Sequence, residues 1–330
     1  LRPSIHRQEI VETKREDIIE VKSWMNMFET NYEEDHLDED SMPPSGIVYC
    51  NIEWIPHFFN KCYRTDNKYV VVSGFSDFGF ALQQEHPVGV DMIRFFPMVR
   101  EEVANLGYGP LFLPPRCRVE TCDIRHKYSI KTNNFTRDTV PDIPPNITKW
   151  FLSNTMIEDE RIEGIPFGTN QGASEILPTI KKYDFEDKKN LLYVNWQNYT
   201  EERYRLKNEF AFKKLPWVTV REESDLDIEE FLDEIAQHVY ILCPQGNGVD
   251  TYRLWETIYL GSIPVVIDCP LIRELSGLPM LVLKHWSDLG IGMLKEQYED
   301  HFSNKDHFDF SKSNLSYWKE RILSAAEGLS

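Results

Sequence analysis

The sequence is poor in cysteine and has no long apolar run. Six cysteines in 330 residues are too few for a disulfide scaffold. No Cys-x-x-Cys pair or Cys/His cluster has zinc spacing, so we expect no structural metal. No stretch approaches the roughly 18 apolar residues of a membrane-spanning helix, so we expect no membrane span. The chain begins at Leu1 rather than Met, which leaves a removed signal or anchor open.

Basic residues are also scarce. The chain has 36 Lys and Arg against 54 Asp and Glu, which gives a net charge of −18. Nucleic-acid backbones and anionic membranes attract Lys and Arg, so this balance argues against both as main partners. Solubility is the simpler explanation of the acidity. A local basic site for a phosphate group is still compatible with the composition.

Composition divides the chain into four predicted regions. An acidic N-terminal segment (1–45) contains the run NYEEDHLDED, which is typical of a solvated loop, and one expected helix over 15–28. A first domain (46–185) and a second domain (186–300) follow. The last region (301–330) reads as C-terminal helices, for which packing back on the first domain is left open.

Short apolar runs alternate with amphipathic stretches in both domains. The predicted strands of the first domain are GIVYC, YVVVSGF, KWFLSN and RIEGIPFG, and those of the second are NLLYVNW, WVTV, VYILCP, IPVVI and MLVLK. Helical patterns separate the strands of the second domain. Such strand–helix alternation implies a parallel, doubly wound sheet, so the predicted fold class is α/β.

The segment 243–266, CPQGNGVDTYRLWETIYLGSIPVV, is the strongest candidate site. A parallel strand should end at VYILC, and open α/β sheets bind ligands beyond the carboxyl ends of their strands. Gly246 and Gly248 would let the backbone approach a ligand and would allow φ > 0. Asp250 is predicted to cap the following helix. The free N–H groups of that helix terminus favour an anion such as a diphosphate.

The same helix carries two charged residues on one side. At about 100° per residue, Leu254, Trp255 and Ile258 should pack on the sheet. Arg253 and Glu256 project together on the other side. An arginine suits phosphate oxygens, and a glutamate accepts two hydroxyl hydrogen bonds, as a ribose requires. An exposed Arg–Glu pair on a glycine-capped helix explains the pattern equally well. Neither GxGxxG nor GxxxxGK[ST] occurs, so a dinucleotide fingerprint and a P-loop are not supported.

This segment resembles the nucleotide-sugar motif of exostosin-like glycosyltransferases, family 47 in the sequence-based classification, which has viral and microbial members. The matching residues are the Gly-rich turn, Asp250, Arg253, Trp255, Glu256, Gly261, Pro264, Val265 and Val266. Two further stretches resemble the family: KWFLSN followed by IPFGTN, and LLYVNWQNYTEERYRL. The resemblance covers about residues 149–290 and is strongest over 243–266.

The resemblance implies a GT-B-like fold, in which two Rossmann-like domains with parallel sheets face each other across a cleft. The first domain is then the acceptor side, and the second binds the nucleotide sugar. By position, Arg253 should contact the diphosphate and Glu256 the ribose. The other donor-binding residues that it implies are Asp250, Gly246, Asn247, Gly248, Asn195 and Arg203.

Catalytic residues are expected in the first domain. Enzymes of this type resemble one another in needing no metal held by an Asp-x-Asp motif, so arginines and helix-end N–H groups stabilise the departing diphosphate. An inverting reaction also needs a base for the acceptor hydroxyl. Asp77 is the first candidate, followed by His86 and Glu85, because a carboxylate at a strand's C-terminal end can serve as general base. A turn aspartate and a surface histidine are the simpler interpretations.

The leading hypothesis is inverting, metal-independent transfer from a UDP-sugar, such as UDP-xylose, UDP-galactose or UDP-glucuronate, to a glycan hydroxyl, with no cofactor. Three alternatives stay open: a GDP-fucose-dependent fucosyltransferase-like enzyme, a non-catalytic carbohydrate-binding module, and an epimerase acting on UDP-sugars. The compartment also stays open. It would be cytoplasmic for a viral or microbial enzyme and the Golgi lumen for a trimmed eukaryotic one.

Overall fold

The chain is a mixed α/β protein with two sheets of parallel strands in a GT-B-like, two-domain Rossmann arrangement, as predicted. The structure, a computed structural model, describes residues 13–32, 41–74, 143–155, 158–196, 201–221, 226–246, 248–304 and 307–329. The limits of the predicted domains stay a prediction.

The described part of the first domain contains a four-stranded sheet in the order β1-β2-β3-β4. Its strands are β1 (Gly46–Tyr49), β2 (Tyr69–Ser73), β3 (Ile147–Ser153) and β4 (Ile162–Ile165), and helix α1 (Ile55–Cys62) follows β1. All neighbouring pairs are parallel. Every residue of β2, YVVVS, is buried, as expected for a β-branched run inside a parallel sheet covered on both faces.

The described part of the second domain contains a five-stranded sheet in the order β6-β5-β7-β8-β9. Its strands are β5 (Asn190–Val194), β6 (Val218–Val220), β7 (His238–Leu242), β8 (Ile263–Ile267) and β9 (Leu281–Leu283). The chain adds β6 on one side of β5 and then crosses to add β7 on the other. The C-terminal ends of β5 and β7 therefore form the topological switch point, where open α/β sheets bind ligands.

The remaining helices surround and link these sheets. They are α2 (Gln171–Ile176), α3 (Glu201–Lys213), α4 (Ile228–Ala236), α5 (Tyr252–Tyr259), α6 (Pro270–Glu274), α7 (Ile291–Ser303) and α8 (Leu315–Ala326). On α5, Leu254, Trp255 and Ile258 are buried, which confirms the predicted apolar face. Helix α4 begins with a reciprocal capping box between Asp227 and Glu230.

The helix predicted over 15–28 is wrong. This stretch has a short 3-10 helix (Arg15–Asp17) followed by turns. Its backbone bonds with distant residues instead of forming helical i to i−4 bonds: Ile19 N donates to the Tyr259 hydroxyl (2.9 Å), and Val21 N donates to Thr169 O (3.0 Å). The apolar residues that suggested a helix are buried against different neighbours along an irregular path.

The C-terminal helix α8 packs against β1 and β2 of the first sheet. Arg321 of this helix donates two hydrogen bonds to Glu163 of β4, both 2.9 Å long. Within the described ranges, no helix is long and apolar enough to cross a membrane.

Candidate functional site

The C-terminal ends of β5 and β7 bring together most of the residues predicted to bind a donor. Asn195 follows β5, the loop 243–246 follows β7, and helices α3 and α5 begin beside these loops. We call the following set the switch edge: Asn195, Glu202, Arg203, Gln245, Gly246, Arg253 and Glu256. Its position at the switch point is where this sheet topology places a ligand.

Arg253 and Glu256 lie together on α5, as their spacing predicts. Arg253 Nε lies 3.5 Å from Glu256 Oε2, and the side chains are only 15% and 5% exposed. Burial raises the pKa of Glu256, and the charge of Arg253 partly opposes that rise. Arg253 Nη1 also donates to the backbone carbonyl of Asn195. The guanidinium lies over the Phe231 ring, 4.2 Å from its centroid. Glu256, the carbonyl of Asn195 and the Phe231 ring therefore restrict the position of the guanidinium.

Arg203 fixes the loop after β7. Its Nε donates to Gln245 O (2.9 Å), and its Nη2 donates to Pro244 O (3.1 Å). A Cβ atom on Gly246 would lie 3.0 Å from the same Nη2. Gly246 does not use the positive φ that a glycine allows. Glycine at this position leaves room for the guanidinium of Arg203, which a Cβ atom would displace slightly. The amide of Gly246 donates to Gly248 O (3.0 Å).

Asp250 does not cap α5, so that prediction is wrong: the N-cap is Thr251, which makes no side-chain cap bond. Asp250 is 2% exposed. Its Oδ2 accepts from Phe167 N (2.7 Å), and both carboxylate oxygens lie 2.8 Å from Trp255 Nε1. Its own N–H donates to the side chain of Asn154 (2.8 Å). Burial raises the pKa of Asp250 to about 7. The carboxylate instead bridges the two domains, because it accepts from Phe167 of the first domain and from Trp255 of α5.

These contacts connect the two domains. We call Asn154, Phe167, Asp250 and Trp255 the junction. Asn154 and Phe167 come from the stretches KWFLSN and IPFGTN of the first domain, and Asp250 belongs to the segment 243–266. Phe167 also stacks on Tyr252 at 5.0 Å between ring centroids. KWFLSN, IPFGTN and the segment 243–266, three of the stretches that carry the family resemblance, therefore meet at the junction.

Four of the predicted site residues lie outside the described residues. They are Asp77, Glu85, His86 and Asn247. The base candidates and the sugar contact of Asn247 therefore stay predictions.

Two switch-edge residues were not predicted from the sequence. Gln245 is 8% exposed, and its Oε1 has no hydrogen-bond partner. Glu202 Oε1 accepts from Trp286 Nε1 (3.0 Å), whereas its buried Oε2 has no partner. Burial raises the pKa of Glu202. Arg253 Nε is also buried and makes no hydrogen bond, although it lies 3.5 Å from Glu256 Oε2 in their ion pair. Sequence patterns give no signal for Glu202; for Gln245 the only one is its place beside the glycines.

Unpartnered buried polar atoms are rare in folded proteins, and each needs an explanation such as a ligand or water. Of the six such side-chain atoms in the described ranges, three belong to the switch edge. Two are acceptors and one is a donor. A ligand or water that satisfied all three would have to donate to the two acceptors and accept from the donor.

A cavity of about 610 Å³ lies at the opposite end of the second sheet. Asn190 and Val239, at the start of β5 and β7, help to line it. Lys188 nearby is buried, which lowers its pKa to about 7, and its amine donates to Ala236 O (2.6 Å) and Ser262 Oγ (3.0 Å). This cavity is at the amino ends of the strands, so we do not assign the site to it.

No protein-family model matches the chain. Two curated proteins are similar to part of it: ribitol-5-phosphate xylosyltransferase 1 of Homo sapiens and the protein of the same name of Mus musculus, each 30% identical over 105 residues. The match covers 26% of this chain and 24% of each relative, about a quarter of the relatives' length. The chain is therefore distantly similar to a glycosyltransferase, which agrees with the predicted enzyme class at that coarse level.

Proposed function

We propose that the protein is an inverting, metal-independent glycosyltransferase of the exostosin-like kind, which moves a sugar from a UDP-sugar to a glycan hydroxyl. The observation that carries the proposal is the set of unpartnered atoms on the switch edge. Glu202 Oε2 and Gln245 Oε1 can each accept a hydrogen bond, and Arg253 Nε can donate one. A nucleotide sugar offers the complementary groups, because its hydroxyls donate and its phosphate oxygens accept.

The donor diphosphate would bind between Arg253 and the start of α5. Helix α5 begins without a side-chain cap, and its N-terminus carries partial positive charge. During transfer, the acceptor oxygen bonds to C1 of the sugar as the bond from C1 to the phosphate oxygen breaks. The nucleoside diphosphate leaves with the electron pair, and Arg253 stabilises the charge that develops on it. Attack from the opposite face inverts C1.

A base must take the proton of the acceptor hydroxyl. Asp77 is our first candidate for this base, followed by His86 and Glu85, on the sequence argument alone. Glu256 would bind the ribose hydroxyls, and its ion pair with Arg253 would then join the ribose and diphosphate subsites.

The name of the two relatives suggests the first substrates to test. They are described as xylosyltransferases of ribitol 5-phosphate, so we propose UDP-xylose as the first donor. For the same reason, ribitol 5-phosphate is the first acceptor. UDP-galactose and UDP-glucuronate are the next donors.

A hydrolysis screen without acceptor tests this function. The purified chain is incubated with UDP-xylose, UDP-galactose, UDP-glucuronate and GDP-fucose, and release of UDP or GDP is measured. We expect slow UDP release from one UDP-sugar, and a loss of that release in the Arg253→Lys variant. Release of GDP alone would favour the fucosyltransferase alternative. If wild-type protein neither cleaves nor binds any of these donors, the proposed function is wrong.

A further inference from the structure

A buried chain of hydrogen bonds connects β5 with the switch edge. The Tyr193 hydroxyl donates to Glu234 Oε2 (2.5 Å) and accepts from Asn195 Nδ2 (2.9 Å). The backbone carbonyl of Asn195 in turn accepts from Arg253 Nη1. Tyr193 and Asn195 are both almost fully buried. The side chain of Asn195 is therefore anchored by the tyrosine, while its carbonyl holds the arginine.

The outer end of this chain is an ion pair. Arg221 donates to both carboxylate oxygens of Glu234, with Nε 3.0 Å from Oε2. Burial alone would raise the pKa of Glu234, but the hydrogen bonds from Arg221 and Tyr193 outweigh it and hold that pKa below its ordinary value. Burial raises the pKa of Tyr193, so its hydroxyl stays protonated. The tyrosine can therefore only donate toward Glu234, which leaves its lone pair for Asn195.

Helix α4 supports Arg253 by a second, direct contact. Phe231 and Glu234 lie three residues apart on α4 and so on the same side of the helix. The Phe231 ring lies beneath the Arg253 guanidinium, and Glu234 reaches the same arginine through Tyr193 and Asn195. One helix thus restricts both the plane of the guanidinium and the direction of its Nη1.

We propose that Tyr193 is a positioning residue for the diphosphate of the donor. It does not touch the donor; its hydroxyl holds Asn195, which orients Arg253. This inference rests on the proposed function of Arg253. A bidentate arginine contact depends on the direction of its N–H groups, so loss of the tyrosine hydroxyl weakens binding without removing any group that the donor contacts.

The neighbouring strand supplies a matched control. Tyr240 of β7 is also fully buried, and its hydroxyl is hydrogen-bonded to His301 Nδ1 (3.3 Å). Tyr193 pairs in register with Ile241, so Tyr240 faces the opposite side of the sheet. Tyr193→Phe and Tyr240→Phe each remove one buried hydroxyl, but only the first removal affects Asn195.

The first test is UDP affinity by calorimetric titration. We expect Tyr193→Phe to weaken UDP binding about five- to tenfold, and Tyr240→Phe to change it by less than about twofold. Combining Tyr193→Phe with Arg253→Lys should weaken binding no further than Arg253→Lys alone, because both act through one guanidinium. Equal effects of the two tyrosine variants, or additive effects in the double variant, would overturn the positioning role.

The second test needs no nucleotide. The Nε–H signal of Arg253 is observed by ¹⁵N NMR and assigned by its absence in Arg253→Lys. We expect this signal to shift or broaden in Tyr193→Phe and to stay unchanged in Tyr240→Phe. An unchanged signal in Tyr193→Phe contradicts the inference. If the wild-type chain binds no UDP, the proposed function fails, whereas the NMR signal still decides whether Tyr193 positions Arg253.

Discussion

The junction and the switch edge are two buried polar clusters to which the segment 243–266 contributes, and they differ in how many of their polar atoms have partners. At the junction, both oxygens and the N–H of Asp250 have partners. At the switch edge, Glu202, Gln245 and Arg253 each have a buried atom without one. A complete cluster stabilises the fold, whereas an incomplete one keeps hydrogen-bonding capacity for a ligand. Changes at the junction should therefore affect stability, and changes at the switch edge should affect binding.

The largest effect is expected from Asp250→Ala at the junction. The change leaves Phe167 N–H and Trp255 Nε1–H buried without an acceptor, so it should lower the free energy of unfolding by about 2–4 kcal/mol. Urea denaturation measures this. If Asp250→Ala has the same urea midpoint of unfolding as wild type, the junction does not hold the domains together.

Arg253→Lys should produce the reverse pattern. Lysine keeps a positive charge beside Glu256 but loses the planar fork, so the dissociation constant for UDP should rise roughly 10- to 100-fold, with a smaller loss of stability than in Asp250→Ala. Arg205→Lys is the control, because Arg205 is exposed on α3 and lysine preserves the charge that it places near Glu202. A similar loss of affinity in both variants would mean that UDP responds to any arginine-to-lysine change in this region, and that Arg253 makes no specific contact with it.

The pH dependence of stability sharpens the same comparison. The pKa of Asp250 in the folded chain is about 7, above its ordinary 3.8, so the folded state binds this proton more tightly than the unfolded state. Wild-type stability relative to Asp250→Asn should therefore fall as pH rises from about 4 to about 7, by roughly 2 kcal/mol between pH 5 and 7, and level off above that. Denaturation of both proteins across this range measures the difference. A constant difference would mean that the carboxyl is not desolvated.

Within the described residues, the sequence predicted the strands of both sheets well, because apolar runs and turn residues mark parallel strands. The helix predicted over 15–28 was wrong because the buried residues there do not follow a helical period. Ile18, Ile19 and Trp24 are buried, but along an irregular segment that bonds with both domains, so their spacing falsely indicated a helix. The distinction between helix and irregular chain there depends on distant partners that local patterns cannot show.

For the site, the sequence predicted the Arg253–Glu256 pair because helical spacing alone places the two side chains together. It assigned Asp250 to a helix cap, whereas the structure places that carboxylate against Phe167 of the other domain; the assignment of Asp250 to the donor stays a prediction. It missed Glu202 and Gln245, since their significance comes from being buried without a partner. Both errors have one cause: the partners of a buried polar group are tertiary contacts.

The smallest effect is expected from Gln245→Met. Methionine has a similar volume but no unpartnered oxygen, so the variant should be as stable as wild type or slightly more stable. UDP-sugar affinity should nevertheless fall about three- to tenfold, because one acceptor for the ligand is lost. Thermal unfolding and donor titration measure the two changes. If the variant is destabilised but binds the donor as tightly as wild type, Gln245 stabilises the fold and does not bind the ligand.

The most direct test of the switch edge as a diphosphate-binding site is calorimetric titration of the wild-type chain with UDP and, separately, with uridine. We expect saturable binding of one UDP per chain and much weaker binding of uridine, because Arg253 and the start of α5 contribute only when the diphosphate is present. Equal affinity for the two compounds, or no saturable binding of UDP, would contradict this expectation.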